Sequence, residues 1–249
     1  MRFRPTPDRL IPDLSPPEEL TLLARTLWRE GYDDHLAGHI TINAGDGTLW
    51  CNPWLLTWEE LLPEHVIRID LDGEVVAGEW PVPLGIPLHL ALHRARPDVG
   101  VAVHSHPLHG VVWGDIGEVP PVLDQSSALG GGSLVLVDEY SGTVDDRSAA
   151  EQTVAAVGEA DLALLAGHGV LVLGQSVRAA HQRAVALEQR CERAWKARVI
   201  AGGELVSPLP DSFRAAMEQS DGTRFHGFWE AAARAELRSD PELAAAIGL

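Results

Sequence analysis

The run Val101-Ala-Val-His104-Ser-His106-Pro107 reads as a buried strand closed by a proline turn. Residues two apart in a strand share a face, so His104 and His106 bring two imidazoles side by side at its C-terminal end. Such a pair suits one metal ion, with metal–nitrogen bonds of about 2.0–2.1 Å. Alone, it also fits two polar histidines on a solvent face. A third histidine lies further on. Asp161-Leu-Ala-Leu-Leu-Ala166 is a second apolar run, followed by Gly167-His168-Gly169 and then Val170-Leu-Val-Leu173. A histidine between two glycines, between two strand-like runs, sits where the backbone bends sharply. Three neutral imidazoles at strand ends leave an open coordination position, as a catalytic metal needs.

Composition narrows the partners. The chain has 249 residues, 45% of them hydrophobic, enough for one α/β domain with a large core and a C-terminal tail. A formal net charge of −17 argues against nucleic acid and anionic membranes as partners. Cys51 and Cys191 are far apart and form no C-x-x-C, which predicts two reduced, buried thiols and a cytoplasmic protein. The first residues lack an apolar leader, and no run reaches the ~18 apolar residues of a membrane span.

Residues 1–15, with Pro5, Pro7 and Pro12, read as an N-terminal arm; 16–203 as the main domain; 204–249 as a tail of two or three amphipathic helices. Ser15 caps a helix carrying Leu20, Leu23, Leu27 and Trp28. Gly45-Asp-Gly47 and Asp72-Gly73 mark two hairpins. Thr57 is expected to cap a short helix through Leu62. Helices are also expected over Leu84–Arg94, Pro107–Gly114, Ser148–Gly158 and Ser176–Ile200, with a strand over Ser133–Val137.

Taken in order, Gly38-His-Ile-Thr41, Asp70-Leu-Asp-Gly73, His89 with Arg94-Ala-Arg-Pro-Asp98, His104-Ser-His-Pro107, Gly167-His-Gly169 and Glu188-x-x-Cys191 resemble the class II aldolase/adducin family over residues 16–200. The resemblance implies a three-layer α/β/α sandwich around a mostly antiparallel sheet. It also implies a homotetramer with active sites between subunits, and a divalent metal (zinc first, with manganese or iron as alternatives) held by His104, His106 and His168.

The chain departs from the aldolase members in three places. Their catalytic glutamate falls at Gly85, within Pro83-Leu-Gly-Ile-Pro-Leu88, and glycine cannot move a proton. Their Gly-Asn phosphate element reads Gly38-His39, and their Ser-Gly turn reads Pro53-Trp54-Leu55, which favours an apolar or aromatic substrate. These departures resemble the adducin-like bacterial branch, which keeps the three histidines without the glutamate. His39, His89 and Tyr140 are the candidate proton-handling residues; His39, Trp54, Asp124 and Gln125 are the candidate substrate contacts. His35 flanks the site by family position, and Tyr140 has an alternative role at an interface. Trp50, Trp54 and Trp58 fit core roles, with a substrate-facing role as the alternative for Trp50 or Trp54, and His109 is a candidate fourth ligand. Glu188 is expected in an ion pair between helices, whereas His65, His93, His181 and His226 read as surface or structural. The expected function is a metal-dependent lyase cleaving a carbon–carbon bond of a small hydroxy or aromatic acid. Its alternatives are a non-heme iron oxygenase and a non-catalytic oligomeric module.

Overall fold

The computed structural model describes residues 3–32, 35–138, 146–204, 206–218 and 227–249. Gly45 and Gly47 take up left-handed backbone (φ 79° and 84°), which reverses the chain between β1 (His39–Asn43) and β2 (Thr48–Cys51). Asp72-Gly73 does the same between β3 (Ile67–Asp70) and β4 (Val75–Ala77). With β5 (Val101–Ser105), β6 (Leu134–Val137), β7 (Leu162–Leu165) and β8 (Gly169–Gly174) they form one sheet in the order β4-β3-β2-β1-β5-β8-β7-β6. Only the β6–β7 pairing is parallel among the described strands; the others are antiparallel.

Helices cover both faces. On one side lie α1 (Pro16–Leu27), α3 (Leu108–Asp115) and α6 (Val177–Ile200), packed on Ile40, Ile42, Val101 and Val103. On the other lie α2 (Ile86–Ala95) and α5 (Arg147–Val157), packed on Ala102, Leu171 and Leu173. The period-two alternation of β1 and β5 then assigns His39, Thr41 and His104 to the α2 side. The short α4 (Gln125–Ala128) packs on α6. The sandwich with its mostly antiparallel sheet is the architecture that the resemblance implied.

The described part of the tail forms α7 (Asp211–Glu218), α8 (Phe228–Ser239) and α9 (Pro241–Ala246). Trp229, Ala233 and Leu243 enter the same core as α1 and α6, and Arg25 of α1 pairs with both Glu236 and Asp240. No helix among the described residues is long and apolar enough to cross a membrane.

One local expectation fails. Residues 57–62 form turns, and a single 3-10 turn follows at Pro63–His65. Thr57 does donate to the Glu60 carboxylate from N and Oγ1, at 2.8 and 3.2 Å. Pro63 disfavours helical backbone at the residue before it, and Trp58 and Leu61 are buried in the turns that form instead.

His181 lies buried against Trp229 (ring centroids 5.3 Å apart), with no hydrogen-bond partner at either ring nitrogen among the described residues. Burial lowers its pKa to about 4, against the opposing charge of Glu230. The unfolded chain takes up a proton near pH 6.5 and the native ring does not, so stability falls as pH drops from 6.5 toward 4. Between pH 7.5 and 4.5 a His181→Leu variant should lose roughly 2–3 kcal/mol less stability than the parent, measured by urea denaturation.

Candidate metal centre

Three segments meet at one end of the sheet. His104 is the penultimate residue of β5 and pairs directly with His39 of β1. His106 follows the strand. His168 sits in the turn between β7 and β8, where Gly167 adopts φ 66° and His168 N donates to Leu165 O at 3.0 Å. One donor atom from each of His104, His106 and His168 lies within 4.8 Å of the others. Ring centroids stand 4.7–5.0 Å apart across the trio.

The carbonyl of Val170 fixes the tautomer of His104. It lies 3.0 Å from Nδ1 and can only accept, so Nδ1 carries the proton and Nε2 is left as the donor atom for a metal. Burial, then the neighbouring imidazoles of His39, His168, His106 and His89, hold His104 well below the ordinary histidine pKa. A buried neutral ring is the form that ligates metal, while half-buried His106 and His168 leave an approach from outside. Three converging imidazoles are the donor set of a divalent zinc, iron or manganese site.

Two glycines make the packing possible. A Cβ on Gly169 would stand 2.3 Å from Cδ2 of His106 and 2.6 Å from Ser105 O. A Cβ on Gly85 would stand 2.2 Å from Cε1 of His39. The His39 imidazole therefore fills the space in which a residue 85 side chain would begin. His39 also stacks on His104 (5.6 Å, 30° between planes) and meets His89 edge-on at 5.9 Å. Asn52 braces this strand, accepting from Ile40 N at 2.7 Å and donating to Gly38 O at 3.2 Å.

The remaining candidates divide. His89, fully buried on α2, joins the cluster through His39. Trp54 is half-buried in the turn after β2, with its N donating to Pro81 O at 2.8 Å, and Leu55 beside it is exposed with φ 77°. Trp58 is buried over Gly38, whereas Trp50 is half-buried beneath Arg68. His35 is exposed. Asp124 caps α4, accepting from Ser127 N and Oγ and pairing with Arg193, and Gln125 is exposed; neither joins the trio. His109 does not join the trio: its Nδ1 lies 2.6 Å from Glu188 Oε1 and its ring rests against Trp195. Glu188 of α6 thus meets His109 of α3 across the two helices, and it also accepts from the backbone N–H groups of His109 and Gly110 at the start of α3. Tyr140 and His226 lie outside the described residues.

Sequence reasoning did not single out Thr41, and it read His93 only as surface or structural; the structure has His93 buried and hydrogen-bonded. Thr41 Oγ1 lies 2.8 Å from His89 Nδ1 and 2.8 Å from His93 Nε2. The i,i+4 spacing of the two histidines was the available signal.

The layered sandwich, with three imidazoles gathered at its strand ends, defines an α/β protein with a candidate metal site. The chain belongs to the class II aldolase and adducin N-terminal domain family, whose model matches residues 18–195. It is 29% identical to the 5-methylthioribulose-1-phosphate/5-deoxyribulose-1-phosphate aldolase of Rhodospirillum rubrum, over 74% of this chain and 81% of that one. It is 28% identical to the 4-hydroxy-3-prenylphenylpyruvate oxygenase/4-hydroxy-3-prenylbenzoate synthase of Streptomyces roseochromogenus subsp. oscitans (87% and 80%). It is also 28% identical to the 3,4-dihydroxyphthalate decarboxylase of Arthrobacter keyseri (83% and 87%). Among solved structures, an aldolase II superfamily protein from Pseudomonas syringae superposes with a TM-score of 0.76 at 26% identity, covering 91% of this chain and 95% of that one.

The two glycines should separate by variant. Gly169→Ala, pressing on His106, should weaken zinc affinity about 10–100-fold in a chelator competition. Gly85→Ala should displace His39, seen as a shift of its ring resonances, and leave zinc affinity unchanged.

Proposed function

We propose that this chain is a divalent-metal-dependent lyase that breaks a carbon–carbon bond of a small hydroxy or aromatic carboxylic acid, by decarboxylation or retro-aldol cleavage, and does not act on a sugar phosphate. The observation that carries the reading is the His104–His106–His168 trio, with an imidazole rather than a carboxylate beside it at Gly85. Held by the trio, a divalent ion (zinc first, then manganese or iron) supplies Lewis acidity toward substrate oxygen atoms. His39, buried and stacked on His104, and His89 behind it move the proton that a glutamate would move in the aldolases. Trp54 supplies an apolar wall for an aromatic ring, and Tyr140 a second proton donor. Asp124 and Gln125 contact substrate only across a subunit boundary, so the working form in this reading is a homotetramer, in the cytoplasm. The decarboxylase and aldolase among the relatives support the reaction class.

Protein purified without chelator or affinity metal should carry about one divalent ion per chain. Alanine at His104, His106 or His168 should abolish binding. With zinc or manganese it should release carbon dioxide or an aldehyde anaerobically from an acid panel, and His39→Asn should slow turnover about 10²–10⁴-fold. Absence of metal would overturn the reading in favour of a non-catalytic module; metal without product would overturn the lyase.

The relative that is an oxygenase, matched over 87% of this chain, favours a second reading as a non-heme iron oxygenase. Iron-dependent oxygen uptake in an oxygen electrode, with no anaerobic product, would replace the lyase with it.

A further inference from the structure

α3 begins without a capping side chain of its own. Its N-cap residue is Pro107 (φ −64°, ψ 139°), whose ring offers no acceptor, and Val111 N donates to Pro107 O at 3.0 Å. The N–H groups of the residues before Val111 have no acceptor within the helix. Glu188 supplies one from α6, 78 residues beyond Gly110. His109 N donates to Glu188 Oε1 and Gly110 N to Oε2, both at 2.9 Å. The Nδ1–H of His109 adds a third donor on Oε1, at 2.6 Å. The carboxylate is buried, and its charge suits the positive end of the helix dipole. One side chain of α6 thus does for α3 what a Ser or Asp cap does for other helices.

His106 lies between this cap and the sheet, anchored on both sides. Before it, Ser105 ends β5, pairs with Val170 of β8 and donates from Oγ to Tyr32 O at 3.1 Å. After it, the ring of Pro107 fixes φ, and Glu188 holds residues 109 and 110. Only His106, Pro107 and Leu108 lie between the two anchors. Gly110 closes the arrangement. A Cβ there would stand 2.6 Å from Val170 Cγ1 and 3.5 Å from Glu188 Oε2. The first turn of α3 is therefore pressed between the α6 carboxylate and the residue whose carbonyl orients His104.

We propose that Glu188 is a positioning residue for the metal centre, holding the His106 imidazole in place through the start of α3. The proposal rests on the reading of the His104–His106–His168 trio as a metal site. Glu188 is outside that ligand set and acts on it through the backbone. Without the carboxylate, three donors at the start of α3 lose their acceptor, and the turn that carries His106 is held from the sheet side alone. The other two ligands have separate supports. His104 is fixed by the carbonyl of Val170, and His168 by its own turn, where its N donates to Leu165 O at 3.0 Å. Loss of Glu188 therefore falls on one ligand of the three.

The test has two arms, both on the full chain. In metal-free protein, NMR of Glu188→Ala should show faster amide exchange at His109 and Gly110 and shifted ring resonances of His106, while His104 keeps its Nδ1–H tautomer. In a chelator competition, the same variant should bind zinc about 10–100-fold more weakly than the parent, as expected for a group that orients a ligand. Glu188→Gln keeps one carbonyl oxygen for the two N–H groups and should fall between; it decides if Glu188→Ala does not fold. Two controls separate positioning from packing. Trp113→Phe deletes another α3–α6 hydrogen bond, from Trp113 Nε1 to Cys191 O, and should bind zinc as the parent does whatever it loses in urea stability. His109→Ala removes the ring contact, keeps both backbone ones, and should do the same. Unmoved His106 resonances without Glu188, or a loss of zinc affinity in either control equal to that of Glu188→Ala, would overturn the inference. A parent that binds no zinc would overturn the proposed function instead, and the His106 resonances would still decide this one.

Discussion

The hydrogen bond from His104 Nδ1 to the carbonyl of Val170 ties the histidine cluster to the sheet. It spans the β5–β8 pairing, whose register sets Ser105 opposite Val170. Because an acceptor-only group holds Nδ1, the ring cannot rotate without losing that bond inside the core, where an unpaired donor costs about 1–3 kcal/mol. The ring plane is thereby set, and with it the direction of Nε2. His39 stacks on that plane, His89 meets His39 edge-on, and Thr41 bridges His89 to His93. This side-chain-to-backbone bond across two central strands thus orients a series of side chains reaching from the sheet end into α2.

Burial gives the cluster its chemical character. Imidazoles placed in water would titrate near neutral pH. Here desolvation is the largest influence on His89, His93 and His104, and all three are held neutral. A set of neutral rings can offer lone pairs to a cation and pass protons without storing charge. The two-layer cover of helices that removes water also supplies the second row of contacts. On one face Glu188 fastens the start of α3 just after His106, and on the other α2 carries His89 and His93.

Much of this was legible in the chain. The two glycine hairpins, the strand ending in His104 and the histidine between Gly167 and Gly169 follow from local rules, because turn chemistry and strand alternation are written in adjacent residues. The layering came from resemblance, since periodicity gives elements and not their order in a sheet. What stayed hidden was tertiary. Nothing near Thr41 announces that its hydroxyl lies between two rings of a helix that begins 45 residues later. His93 read only as a surface or structural histidine because the face of its helix was assigned from leucines. Asp124 read as a substrate contact, and its cap on a four-residue helix and its pairing with Arg193 were not foreseen. The 57–62 segment forms turns in which Trp58 and Leu61 are buried, where a local rule pointed to a helix.

The contact between Gly85 and His39 has an evolutionary consequence. Because even a methyl group at 85 collides with the imidazole at 39, the two positions exclude one another's larger residues. A larger residue at 85 requires the His39 ring to turn aside or a smaller side chain to stand at 39, so the choice of residue at one position constrains the choice at the other.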